Sequence, residues 1–160
     1  MLKLDDRDIQ MLKVLSQEGR ISKSELASRV NLSPTPCWER LKRLEKAQII
    51  QSYHANISLK KIASSVTVFV AIELENHQAA SFRQFEDAID QYEEIQSCWA
   101  IGGGLDYFMH VVTTSIDSYQ RLIDDLLDQK IGLARYFTYI VTKPVKQTNL
   151  LPFDVLLSDH

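Results

Sequence analysis

Ser33-Pro34-Thr35-Pro36-Cys37-Trp38-Glu39-Arg40-Leu41-Lys42-Arg43-Leu44-Glu45-Lys46 carries a helix start signal that runs straight into an amphipathic helix with a cationic side. Ser33 can accept from the orphan amides of a first turn, and Pro34 sits where a missing N–H costs nothing. At about 100° per residue, Cys37, Leu41 and Leu44 share one stripe. Thr35, Glu39, Lys42, Arg43 and Lys46 gather on the opposite side, with Trp38 and Arg40 at the flanks. One face packs; the other is free to meet DNA, and Arg43 is expected to contribute nothing to the fold. The competing reading is a solvated helix surface laced by an i,i+4 pair such as Glu39 with Arg43.

What precedes this helix favours DNA. Asp5 or Asp6 can cap a first helix whose stripe is Ile9, Leu12 and Leu15 with Met11, and Glu18-Gly19-Arg20 ends it. Ser22-Lys23-Ser24-Glu25 is a capping-box pattern that opens a short second helix through Leu26 and Val30. Asn31-Leu32 is then the brief turn of a helix-turn-helix. Ile49 to Tyr53 and His54 to Ile57 read as a β-ribbon, which makes the module winged. Thr35 and Glu39 lie near the helix N-terminus, where base contact is usual, and Lys42, Arg43 and Lys46 can reach phosphates or base edges. Together with Ser33, Pro36 and Arg40 they form the expected DNA surface. Trp38 belongs to it too, either against DNA or packed between helices.

A polar connector, residues 58–65, separates this module (1–57) from a region (66–160) of strands alternating with helices. Val66, Val68, Val70, Ile72 and Leu74 alternate with Thr67, Phe69, Ala71, Glu73 and Glu75 in a half-buried strand. Phe82, Phe85, Ile89 and Tyr92 follow at helical spacing. Two strands, 95–101 and 106–113, flank Gly102-Gly103-Gly104-Leu105. Ile116, Tyr119, Ile123, Leu126 and Leu127 mark a second helix, and 135–143 a last strand. The order βαββαβ is ferredoxin-like, so the chain is α+β.

The formal net charge of −3 conceals a split. Residues 1–56 hold ten Lys and Arg against seven Asp and Glu, whereas 57–160 hold eight against fourteen. Phosphate binding follows local cation density, so an acidic chain can still present a basic element. The longest apolar run, Val68 to Ile72, is too short to span a bilayer, and the acidic N-terminus is unlike a signal peptide; the expected location is the cytoplasm. Cys37 and Cys98 are far apart and the four histidines scattered, which supports neither a disulfide framework nor a metal site. No cofactor is expected. Nothing resembles a nucleophile, base and acid in a catalytic order, so an enzyme is not expected either. The triple glycine lies between two strands with no helix or Lys-Ser/Thr after it, which argues against a nucleotide loop and for a hairpin turn that lets a ligand approach backbone amides.

The chain resembles the Lrp/AsnC, or feast/famine, family of bacterial and archaeal transcription regulators. The N-terminal likeness rests on Leu4-Asp5-x-x-Asp8, Gly19-Arg20 and Ser33-x-x-Pro36-Cys37-x-x-Arg40-Leu41-Lys42-Arg43-Leu44-Glu45. The C-terminal one rests on Gly103-x-x-Asp106-Tyr107 and Val145-Lys146-Gln147-Thr148. A closer likeness, through Trp99-Ala100-x-Gly102-Gly103-Gly104 and Arg135-Tyr136-Phe137-Thr138-Tyr139, is to a branch linked to ectoine or compatible-solute catabolism. Two positions depart from the family pattern: Gln48 stands where a glycine usually follows the third helix, and Gly104 where an acidic or polar residue is common.

The resemblance implies a homodimer that assembles further, binding double-stranded DNA through the N-terminal module and a small molecule, usually an amino acid or derivative, between C-terminal domains. It places the effector at Gly102, Gly103, Gly104, Leu105 and Asp106, with Asp106 taking a ligand amine or serving only as a turn residue, and at Tyr136 and Thr138 on the last strand. A ligand-independent, autoregulatory DNA organiser of the same fold is the alternative.

Overall fold

The computed structural model describes residues 2–148 and 150–157. The chain divides into two compact units, the described residues up to Ile57 together with those from Lys146 onward, and Ser58–Val145. In the first unit lie α1 (Asp6–Gln17), α2 (Lys23–Arg29) and α3 (Pro34–Lys46). Asp5 caps α1 with a reciprocal box: its carboxylate accepts the Arg7 and Asp8 amides at 3.0 Å, while Asp8 accepts the Asp5 amide at 3.1 Å. Ser22 caps α2 by accepting the Glu25 amide at 3.2 Å. Glu25 itself turns to Arg29, 3.1 Å away, instead of completing a box. Met11, Leu26, Ala27, Val30, Cys37 and Leu41 form the buried core of this unit.

Two expectations change here. Residues 49–57 form no β-ladder. Their side chains are almost all exposed, Ile57 to 62%, and a two-stranded ribbon with no apolar face to lay down is marginal on its own. The C-terminal limit of the second domain also moves. The chain leaves the sheet after the last strand, and α6 (Phe153–Leu156) groups with the first unit, where Lys13 donates to Asp154. Continuity along the sequence assigns such a tail to the strand before it, and no periodicity signals a distant ion pair.

The second unit opens with a single 3₁₀ turn, Leu59–Lys61, in the connector. It continues as β1 (Val66–Leu74), α4 (Ala79–Ile89), β2 (Ile95–Ala100), β3 (Tyr107–Thr113), α5 (Ile116–Asp128) and β4 (Leu133–Ile140). The sheet order is β2-β3-β1-β4 and every pair is antiparallel. Val68, Val70, Ile72 and Leu74 from β1 meet Tyr107, Met109 and Val111 from β3 on one face, where α4 supplies Phe85 and Ile89 and α5 supplies Tyr119, Leu122, Ile123 and Leu126. Both helices therefore cover the same face. The other face carries Phe69, stacked on Phe108 at 5.3 Å and on His110 at 5.0 Å between ring centres, with Trp99, Phe137 and Tyr139 about half exposed.

Cys98 lies on the helix-covered face, opposite Met109. Its burial, with a contribution from the Glu86 charge, pushes the thiol from 9.0 up to about 11. The folded state then holds this proton more tightly than the unfolded chain, so stability falls as pH rises from about 9 toward about 11. Chemical denaturation across that range is expected to show the loss, and Cys98→Ala to shrink it. At pH 8, Ellman's reagent should label Cys98 only after denaturation.

Candidate DNA-binding surface and effector site

The turn between α2 and α3 is built by one left-handed residue. Asn31 has φ 52°, and the Asn31 and Leu32 amides close the end of α2 on the Ser28 and Ala27 carbonyls at 3.1 and 2.9 Å. Gln48, with φ 55°, ends α3 in the same way, its amide and that of Ile49 reaching Glu45 and Leu44 at 2.9 and 3.0 Å. A glutamine thus occupies the conformation that glycine adopts without strain. Ser33 stands at the start of α3 with extended backbone, but its hydroxyl makes no capping bond. An N-cap oxygen takes the amide of the second or third helical residue, and here the third is Pro36, which has none.

Cys37, Leu41 and Leu44 are buried, and Ser33, Thr35, Glu39, Lys42, Arg43 and Lys46 are exposed, with Pro36, Trp38 and Arg40 half-buried between them. Arg40 and Arg43 are not free of the fold. Asp8, fully buried, accepts from Arg40 at 2.9 Å and from Arg43 at 2.6 Å, and Asp5 accepts from Arg40 at 2.6 Å. The Asp8 amide and then the Arg40 guanidinium hold the Asp5 carboxyl below its usual value. Two carboxylates thereby balance two guanidinium groups, and Arg43 bonds to α1, not to Glu39 as the competing solvated-surface reading has it. Arg43 also borders a shallow depression shared with Pro36, Glu39 and Arg40.

Trp38 packs on the edge of the helical core and carries cations on its ring, with Lys23 Nζ 3.3 Å and Lys42 Nζ 4.8 Å from the ring centre. Lys23 was no part of the expected surface. It sits on α2, and contacts between helices leave no mark on the periodicity of either one.

In the second unit, Gly103 has φ 134° and turns the β2–β3 connection, and a side chain at any of Gly102, Gly103 and Gly104 would point into open space. Gly102, Gly104 and Leu105 line a depression of about 500 Å³ together with Glu73, Ile101, Arg135, Phe137 and Tyr139. Asp106 serves the sheet: one carboxylate oxygen accepts the Leu74 amide at 2.8 Å and the other faces His77 Nε2 at 3.0 Å. That bond secures the end of β1, where the register with β4 shifts between Glu73 and Leu74.

Tyr136 and Thr138 do not join the depression. Thr138 is paired with Val70 and bonds Tyr119 of α5 at 2.5 Å, and Tyr136 packs against the helix-side core. Side chains alternate along a strand, so a shift of one residue exchanges the faces. Arg135, Phe137 and Tyr139 occupy the opposite face, along the depression. Arg135 reaches its cross-strand partner Glu73, donating to Oε2 from Nε at 2.9 Å and from Nη2 at 2.5 Å.

Comparison with known proteins agrees with this division of labour. Residues 4–51 match a winged helix-turn-helix DNA-binding model and residues 67–151 match the Lrp/AsnC ligand binding domain. The chain is 49% identical over 146 residues to the transcriptional regulatory protein DoeX of Halomonas elongata, covering 91% of this chain and 92% of that one. It is 39% identical over 148 residues to the leucine-responsive regulatory protein of Escherichia coli, covering 92% and 90%. Among solved structures, the Neisseria meningitidis transcriptional regulator NMB0573 in complex with L-Met superposes with a TM-score of 0.90 at 32% identity, over 97% of this chain and 100% of that one. The chain belongs to the Lrp/AsnC family. It is a DNA-binding transcriptional regulator with a ligand-binding domain, and not an enzyme. No helix among the described residues is long and apolar enough to cross a membrane.

Because Asp8 is buried against both arginines, Arg43→Ala is expected to cost about 1–3 kcal/mol of stability in addition to any loss of DNA affinity. Urea unfolding without DNA measures the first and a shift assay the second. An unchanged unfolding midpoint would mean that the Asp8–Arg43 bond contributes nothing to the fold.

Proposed function

We propose that the depression beside the triple glycine is the effector site and that it takes an amino acid or a close derivative. The observation that carries this is the Glu73–Arg135 pair at its edge. A zwitterion can exchange with that pair, its carboxylate meeting Arg135 and its ammonium Glu73 as charge-assisted bonds. Gly102 and Gly104 leave the backbone open to approach, while Ile101, Leu105, Phe137 and Tyr139 offer apolar surface for a side chain. Asp106 supports the wall of this site by holding β1.

Ser33, Thr35, Pro36, Glu39, Lys42, Arg43 and Lys46 form the DNA-reading surface on α3, with Arg40 and Trp38 behind them. A single helix-turn-helix covers too little DNA for tight specificity, so two copies act together. The aromatic face of the sheet, with Phe69, Phe108, Trp99, Phe137 and Tyr139, is the kind of contiguous apolar surface that another protein surface covers, here that of a second copy. Half-sites then lie near multiples of about 34–36 Å along the duplex. An effector changes assembly through its different affinity for the assembly states.

Footprinting on the DNA upstream of the protein's own gene, with and without a panel of amino acids and compatible solutes, tests operator and effector together. Spaced protection that one compound alters is the expected result. Protection unaltered by every compound would favour a ligand-independent DNA organiser. Arg135→Gln should weaken the response to the active compound about ten- to a hundredfold and leave DNA binding without effector near that of the parent. Sedimentation should find a dimer or larger at micromolar concentration; a monomer that binds its operator tightly would contradict the paired arrangement.

A further inference from the structure

Four cations of α2 and α3 are held in two different ways. Arg40 and Arg43 lie against Asp5 and Asp8, whose negative charges cancel much of what an approaching anion would feel. Lys23 and Lys42 are held by the ring of Trp38. An aromatic ring attracts a cation through its quadrupole and carries no net charge, so both ammonium groups keep their full charge for a third party.

We propose that Trp38 is a positioning residue for DNA binding: its ring fixes Lys23 of α2 and Lys42 of α3 as one preset pair of cations that takes backbone phosphates of duplex DNA. Lysine normally gives up a large share of its side-chain freedom when it meets a phosphate. Here part of that loss precedes binding, which is how preorganisation raises affinity. The arrangement also accounts for the half-buried state of Trp38, whose body closes the edge of the helical core. Phosphate contacts set register and orientation without reading sequence, so this pair acts on all duplexes alike. This rests on the proposed DNA-reading surface of α3; the use of an indole ring to bring Lys23 of the neighbouring helix into the same contact is a property of these three side chains.

The test uses the full chain and a fluorescently labelled duplex of random sequence, with binding followed by anisotropy over a range of salt concentration. Lys23→Gln and Lys42→Gln should each lower the slope of log affinity against log salt by about 0.9. Trp38→Leu should weaken binding about two- to fivefold for each lysine it releases, and Trp38→Phe, which keeps a ring, should recover part of the loss. In the Lys23→Gln/Lys42→Gln background, Trp38→Leu should have no further effect on binding. The proposal is overturned if Trp38→Leu costs as much in that background as in the parent, since the indole would then act through the core or touch DNA itself. An unchanged salt slope in Lys23→Gln overturns it equally, and that variant is exposed and removed from the core, so it remains informative where Trp38→Leu does not fold.

Discussion

The buried carboxylate of Asp8 is the constraint on which the DNA-binding half depends. A charge with no exposed surface must be matched by partners on the spot, and Asp8 finds them in Arg40 and Arg43, one turn apart on α3. It also closes the capping box of α1. One side chain therefore helps to start one helix and fixes its angle to another, and the apolar core of Met11, Leu26, Val30, Cys37 and Leu41 fills the space that this geometry leaves. Without that tether the outer face of α3 would have no fixed relation to α1.

Much of this was legible from one chain of letters because its signals are local. The alternation from Val66 to Leu74 gives the bounds of β1, since a strand buried on one face has a period of two that nothing interrupts. The turn at Asn31-Leu32 follows from where the second helix must stop. What a single element does not show is of a different kind. Arg43 faces away from the apolar stripe, as its angle on α3 requires, yet its tip reaches Asp8 of another helix, and a helical wheel has no entry for a neighbour. Tyr136 and Thr138 stand on the helix-covered side of β4 and Phe137 and Tyr139 on the other, and only the pairing with β1 tells which face each residue takes. The cross-strand partnership of Glu73 with Arg135, by contrast, had a signal available: opposite charges that antiparallel pairing sets face to face.

The two faces of the sheet have different structural roles, one closed and the other open. The face under α4 and α5 is apolar and closed, and its few polar groups are bonded, as Thr138 is to Tyr119 and Tyr107 to Glu86. The opposite face holds aromatic rings, the Glu73–Arg135 pair and the open glycine loop. Asp106 stands between these roles: by accepting the Leu74 amide just past the register shift, it sets where Glu73 lies relative to the loop.

The two prolines of α3 bear on how its first turn forms. Pro34 and Pro36 are the first and third residues of the helix, so Thr35 is the only one of the three with an amide proton. The start of the helix therefore lacks the cluster of free amides that commonly cradles a phosphate, so an anion there could be held only by side chains. The same rings hold two φ angles near their helical values before the chain has folded, which reduces the number of torsions to be ordered in the costly first turn. α3 gives up backbone donors and gains a nucleus for its own formation.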